Sequence, residues 1–241
     1  MTSLKRVRLD QRLVQLRYTP TRSQAENYIR LGFVEVNEKA VTKAGFFVAD
    51  KDKIRLTNPE HYVSRAGLKL SDANKYLKVD FSNKVVLDVG SSTGGFTDYA
   101  LHKGAKKVIA VDVGTDQLHL KLRADERIEL YEKTDIRDFK LKSAPDIIMV
   151  DVSFISLNLI LPHLARLSSS KTIIITLLKP QFEAGNEQIN RGIIKNDSIR
   201  RTILKDFENW TKNLFNIVGK VDSNITGSKG NRERFYLLKK L

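Results

Sequence analysis

Lys84-Val85-Val86-Leu87-Asp88-Val89-Gly90-Ser91-Ser92-Thr93-Gly94-Gly95-Phe96 is the stretch on which the fold turns. An apolar, β-branched run enters a glycine-rich turn, and the turn opens onto a helical pattern that continues through His102. Glycines in such a turn let the backbone approach a ligand closely, and the helix start offers unpaired N–H groups. A phosphate-binding loop would need Gly-Lys-Ser/Thr, which is absent, and the dinucleotide fingerprint fails at its second glycine, where Ser92 stands. Asp88, Gly90, Ser91, Ser92, Thr93, Gly94, Gly95 and Phe96 therefore frame a loop suited to the amino-acid end of S-adenosyl-methionine.

Working outward, further apolar runs alternate with helical stretches. Residues 107–114, 128–132, 146–152 and 172–180 read as buried strands, with helical patterns at 117–126 and 156–167. Strand and helix in alternation specify a parallel sheet. The final runs, 215–223 and 234–240, read as an antiparallel pair. The fold class expected is a doubly wound, Rossmann-like α/β domain. Asp112, 22 residues after Gly90 at the end of the second run, is placed to accept hydrogen bonds from both hydroxyls of a cofactor ribose. Asp135 and Ile136, beyond the third run, are candidates to meet an adenine ring.

Composition bounds the partners. The 241 residues carry a net charge of +14, an excess that points to polyanion binding and makes nucleic acid the first partner to consider. The absence of cysteine excludes disulfides, thiolate nucleophiles and Cys-ligated zinc, and no metal site is expected. The basic N-terminus lacks the apolar stretch of a secretory signal. The longest membrane-like stretch, 147–164, is interrupted by Asp151, Asn158, Pro162 and His163 and falls short of roughly 20 apolar residues. A cytoplasmic location without membrane association is expected.

Charge is densest in residues 1–60, with twelve Lys/Arg against seven Asp/Glu. Leu9, Leu13, Leu16, Ala25 and Ile29 follow helical spacing, while Val34, Val36, Ile54 and Leu56 alternate as in short strands. Thr57-Asn58-Pro59-Glu60 is a polar break, so an α+β module over 1–60 and a second domain over 61–241 are expected. Residues 6–56 resemble the RNA-binding module named after the fourth small-subunit ribosomal protein. Its helix, capped by Thr21 or Ser23, would present Arg22, Gln24 and Arg30 to phosphates and 2′-hydroxyls, with Arg6, Arg8 and Arg65 completing the set.

Tyr62-Val63-Ser64-Arg65-Ala66-Gly67-Leu68-Lys69-Leu70, the loop at 88–98, Asp151-Val152-Ser153-Phe154, Leu178-Lys179-Pro180-Gln181-Phe182-Glu183 and Gly230-Asn231-Arg232-Glu233 together resemble the TlyA family over the whole chain. The second domain looks like the FtsJ-type ribose methyltransferases, whose Lys, Asp, Lys, Glu pattern falls on Lys69, Asp151, Lys179 and Glu233. Arg234 departs from the apolar residue usual there. The resemblance implies methyl transfer from S-adenosyl-methionine to a ribose 2′-hydroxyl of ribosomal RNA, with a large-subunit cytidine as the expected target. Lys179 is the candidate base that takes the hydroxyl proton. Alternatively, Asp151 and Glu233 only orient the two lysines, and alignment supplies the acceleration. Two further readings stand beside this one: a non-catalytic ribosome-binding or assembly factor that keeps the fold, and a membrane-active haemolysin, after the family's older name.

Overall fold

A computed structural model of the chain describes residues 6–19, 21–30, 32–57, 62–185, 189, 192–194, 196–227 and 229–241. The expected break at Asn58, Pro59 and Glu60 lies outside them. The chain divides into two compact units, Met1–His61 and Tyr62–Leu241.

In the first unit, helices α1 (Leu9–Gln15) and α2 (Arg22–Arg30) pack on three short strands, β2 (Val34–Val36), β3 (Lys39–Ala40) and β5 (Ile54–Leu56). A two-stranded pair, β1 (Val7–Arg8) with β4 (Phe47–Val48), completes it. Leu9, Leu13, Ala25, Ile29, Val34, Val36 and Val48 form the core, so the helical and alternating periods both bury their apolar face. Leu16 departs from the expected pattern: α1 ends at Gln15, and Leu16 stays exposed. Thr21, rather than Ser23, caps α2, its hydroxyl accepting from the Gln24 N–H at 3.2 Å.

The second unit is a seven-stranded sheet in the order β11-β12-β10-β9-β6-β7-β8. Its strands are β6 (Val85–Val89), β7 (Lys107–Val111), β8 (Ile128–Tyr131), β9 (Ile147–Val150), β10 (Ile173–Leu178), β11 (Phe215–Asp222) and β12 (Arg234–Lys240). Strands β6 to β10 are parallel, and β12 runs antiparallel to both β10 and β11. The alternation within each run sorts the two faces. Val86, Ile147, Met149, Ile175 and Leu177 pack with α3 (Arg65–Leu77) and α4 (Gly95–His102), and Leu87, Val89, Ile148, Val150 and Ile174 pack with α6 (Leu161–Leu167) and α8 (Asp197–Thr211). Strands covered on both faces read as continuous apolar runs. The expected doubly wound α/β class is the observed one.

Two stretches differ from expectation. The helical reading of 117–126 shrinks to α5 (Leu120–Arg123), because His119 takes an extended backbone and caps the helix, its ring nitrogen accepting from the Lys121 N–H at 3.2 Å. Helix α8, not expected from the sequence, starts at Asn196, whose side chain accepts from the Ser198 N–H, and buries Ile203, Leu204 and Phe207. Among the described residues no helix is long and apolar enough to cross a membrane.

Candidate active site

The crevice of such a sheet opens beyond the carboxyl ends of its strands, where the strand order reverses. Here that point lies between β6 and β9, which leave β6 flanked by β7 on one side and β9 on the other. Gly90 follows β6 with φ +79°, and a Cβ on it would lie 2.8 Å from the Asp151 carbonyl oxygen. Only glycine lets the two strand ends approach this closely.

A cavity of about 360 Å³ occupies the crevice, within the range of small-molecule sites. Gly90, Ser92, Asp112, Asp135, Ile136 and Asp151 line it, so the ends of β6, β7, β9 and the segment after β8 converge there. The Asp112 carboxylate is held by backbone: the Ser92 N–H donates to one oxygen at 2.8 Å and the Gly114 N–H to the other at 2.7 Å. Each oxygen keeps a further lone pair for a ligand hydroxyl. Asp135 is gripped by Arg137 through both its oxygens, and that hydrogen bonding holds its carboxyl below the usual range, leaving it an acceptor only. The other candidates of the loop do not line the cavity. Asp88 is fully buried beneath it, its Oδ2 accepting from the Thr97 hydroxyl at 2.6 Å. Burial pushes its carboxyl up to about 7. Phe96 packs into the core against Phe235, and Ser91, Thr93, Gly94 and Gly95 shape the turn, with Gly94 at φ +92° starting α4.

Beside the cavity stand two lysine–carboxylate pairs. Lys179 Nζ is 2.7 Å from Asp151 Oδ1 and donates to Ser153 Oγ at 2.9 Å. Lys69 Nζ donates to Glu233 Oε2 at 2.6 Å, with Glu233 buried. The sheet register explains their meeting. Leu178 faces Arg234 across β10 and β12, which puts Lys179 and Glu233 one step beyond, at the same sheet edge as Asp151. Lys69 reaches that edge from α3, which sits tightly on α4: a Cβ on Gly67 would lie 2.8 Å from the Gly95 carbonyl oxygen.

Residues 62–240 match the FtsJ-like methyltransferase family, and residues 7–54 match the S4 domain family. The chain belongs to the FtsJ-like methyltransferases, in the TlyA family. It is 44% identical to the YqxC protein of Bacillus subtilis over 97% of this chain and 85% of that one. It is 34% identical to the 16S/23S rRNA (cytidine-2′-O)-methyltransferase TlyA of Mycobacterium tuberculosis, over 98% of this chain and 90% of the relative. A solved Streptococcus thermophilus structure that carries a hemolysin name superposes with a TM-score of 0.74 at 38% identity, covering 99% of this chain and 90% of that one.

In this FtsJ-like chain two residues join the site that the sequence reading passed over. Ser153 receives the Lys179 hydrogen bond. Phe154 lines the cavity, is 90% exposed, takes the left-handed φ of +65° and packs against Phe182 with ring centroids 5.0 Å apart. A large residue at positive φ is a backbone outlier of the kind that clusters at ligand sites. An Asp-Val-Ser-Phe string looks like the tail of a strand and carries no local signal of this bend.

The S4 unit holds its arginines differently from the expected open cationic face. Arg8 grips Asp10 through Nε and Nη2 at 3.0 and 2.7 Å, and Arg22 adds a third contact at 2.9 Å. Arg30 leans on Glu26 at 3.8 Å. Arg8 and Arg22 thus have a structural task, tying β1, α1 and α2 together. Arg6, Ser23 and Arg30 are exposed, and Gln24 is half-buried. Arg65 belongs to the second unit, where it donates to the Thr226 carbonyl at 2.6 Å.

Proposed function

We propose that the chain is a cytoplasmic methyltransferase that methylates a cytidine ribose 2′-hydroxyl in ribosomal RNA, with large-subunit RNA the expected carrier. The observation that carries this reading is the pair of lysine–carboxylate contacts, Lys179 with Asp151 and Lys69 with Glu233, at the same sheet edge as the cofactor-sized cavity. S-adenosyl-methionine, when bound, supplies an electrophilic methyl group. The residues present fit it: Asp112 offers both carboxylate oxygens to ribose hydroxyls, Asp135 offers an acceptor to the adenine amino group, and Ile136 an apolar wall.

On the acceptor side, Lys179 as the neutral amine, its ammonium proton first released to solvent, receives the 2′-hydroxyl proton as the ribose oxygen attacks, while Asp151 and Ser153 fix the direction of its Nζ. Lys69, anchored by the buried Glu233, places a positive charge where the oxygen gains negative character. The exposed Phe154 ring is a stacking surface for the base attached to that ribose, which must leave its own stack to present the 2′-oxygen. The S4 unit supplies RNA affinity through Arg6, Ser23, Gln24 and Arg30, with Arg8 and Arg22 contributing the N–H groups not turned to Asp10. The name of the Mycobacterium tuberculosis relative covers RNA of both ribosomal subunits and specifies a cytidine. Mass-spectrometric mapping of ribose methylation in both ribosomal RNAs, from cells with and without this gene, tests the proposal. A cytidine 2′-O-methyl lost with the gene and restored in vitro by the protein with S-adenosyl-methionine is expected; identical maps would overturn it.

A further inference from the structure

Glu183 lies one turn beyond Lys179, at the end of α7 (Pro180–Glu183). Its carboxylate takes no part in either lysine pair. It accepts instead from two donors in the loop that follows β9: the Ser156 hydroxyl at 2.5 Å and the Leu157 N–H at 2.9 Å. A second contact joins the same two segments, the Phe154 ring on the Phe182 ring. Asp151, Ser153 and Phe154 all ride on that loop, so whatever holds it sets where Lys179 and its partners stand.

A cavity of about 250 Å³, lined by Asn158, Glu183, Phe207 and Trp210, lies beside this contact, while Leu157 and Ile160 anchor the far end of the loop in the core with Leu204 and Phe207 of α8. The short helical turn Leu157–Leu159 has Ser156 as its cap, its hydroxyl oxygen accepting from the Asn158 N–H at 3.2 Å while donating to Glu183. One carboxylate thus fastens both the cap and the first N–H of the turn. Burial, opposed by these two hydrogen bonds, raises the Glu183 carboxyl above its ordinary value, so the carboxylate is kept in a place that does not favour its charge.

We infer that Glu183 is a positioning residue for methyl transfer: its carboxylate clamps the Asp151–Ile160 loop to the Lys179 turn, and so fixes Asp151, Ser153 and Phe154 around the acceptor ribose. The inference rests on the ribose-methyltransferase reading above. A misplacement of about 1 Å costs on the order of a hundredfold when catalysis depends on alignment.

The test uses the full chain and three measurements on Glu183→Ala and Glu183→Gln: rate, cofactor affinity and hydrogen exchange. At saturating S-adenosyl-methionine and RNA, Glu183→Ala should slow single-turnover methylation about tenfold or more, with cofactor affinity within about threefold of wild type. Glu183→Gln keeps a carbonyl acceptor for the Leu157 N–H and should recover part of the rate. By hydrogen exchange, the Leu157 amide should lose protection in Glu183→Ala while α8 keeps its own. A folded Glu183→Ala with the wild-type rate, or with unchanged Leu157 protection, overturns the clamp. A wild-type protein that binds cofactor and methylates no ribosomal RNA overturns the underlying reading instead, and the exchange result then judges the clamp separately.

Discussion

Asp10 in the S4 unit and Asp88 in the methyltransferase unit are both fully buried, yet their surroundings are opposite. Asp10 meets two guanidinium groups, and the Arg8 hydrogen bond, with Arg22 assisting, holds its carboxyl well below the usual carboxylate range. Asp88 meets a threonine hydroxyl and, further off, the like charges of Asp151 and Asp112, and burial pushes it up to about 7. The comparison teaches that burial alone does not decide a carboxylate's state; the charge of its partners does. Asp151 and Glu233 each meet one lysine instead. The S4 unit uses permanently charged arginines to fix its frame, whereas the edge proposed to be catalytic carries lysines, whose single nitrogen can exchange a proton with a substrate.

That contrast breaks most visibly at Lys179. Lys179→Ala should abolish turnover, a loss of about a thousandfold or more, with near-normal cofactor affinity, because its work arises in the transition state. Lys179→Arg should fail as well, since a guanidinium stays protonated. Single-turnover assays and calorimetry measure the two effects. If Lys179→Arg kept most of the rate, lysine would act by charge or orientation, and the proton would leave through Asp151 or water. At the other pole, Asp10→Ala strips two arginines of their shared partner and should destabilise the S4 unit by about 3 kcal/mol. Faster amide exchange across 7–56, with unchanged cofactor affinity, is the expected result; unchanged exchange would reduce the Arg8–Asp10–Arg22 contacts to surface decoration.

The same contrast marks what was legible in the sequence. The sheet could be read because each buried strand is a continuous apolar run, and the crevice because Gly90 and Asp112 sit at strand ends, a local relation. The pairing of Arg8 and Arg22 with Asp10 was not legible, since charges spaced as in a solvated helix face look alike whether they point to RNA or to a buried acid. Helix α8 was hidden by its charged residues, Arg200, Arg201, Lys205, Asp206 and Glu208, between Ile203, Leu204 and Phe207. Its signal was the Asn196 cap with apolar spacing behind it. Residues 117–126 misled in the other direction: Leu118 and Leu122, four apart, do share a buried face against Gly94, but the His119 cap between them lets the helix begin only at Leu120. Assignment of Lys69 and Glu233, 164 positions apart, came from the family resemblance and not from spacing.

A smaller effect sharpens the cofactor side. Asp112→Ala should weaken S-adenosyl-methionine binding by about ten- to a hundredfold, through loss of charge-assisted hydrogen bonds to the ribose. The substitution also releases the Ser92 and Gly114 N–H groups, so calorimetry should be paired with an unfolding curve. Unchanged affinity in a folded variant would remove Asp112 from the site.

The smallest effect returns to Asp88. Its folded-state value of about 7 lies above the ordinary 3.8, so the folded protein holds a proton there that the unfolded chain has already lost. Stability from this group is therefore fully present below the unfolded value and is lost as pH rises through about 7, the reverse of the Asp10 case, where stability is lost only in acid. Between about pH 6 and 8 the wild type should lose about 1 kcal/mol of stability through Asp88. Asp88→Asn keeps the shape and an acceptor for the Thr97 hydroxyl but has no proton to lose, so its unfolding free energy should be flatter over that interval. Urea unfolding of both proteins at the two pH values reads the difference directly. Parallel curves for wild type and variant would mean that Asp88 does not change its protonation between pH 6 and 8, and its proposed exchange of a proton over that interval would fall.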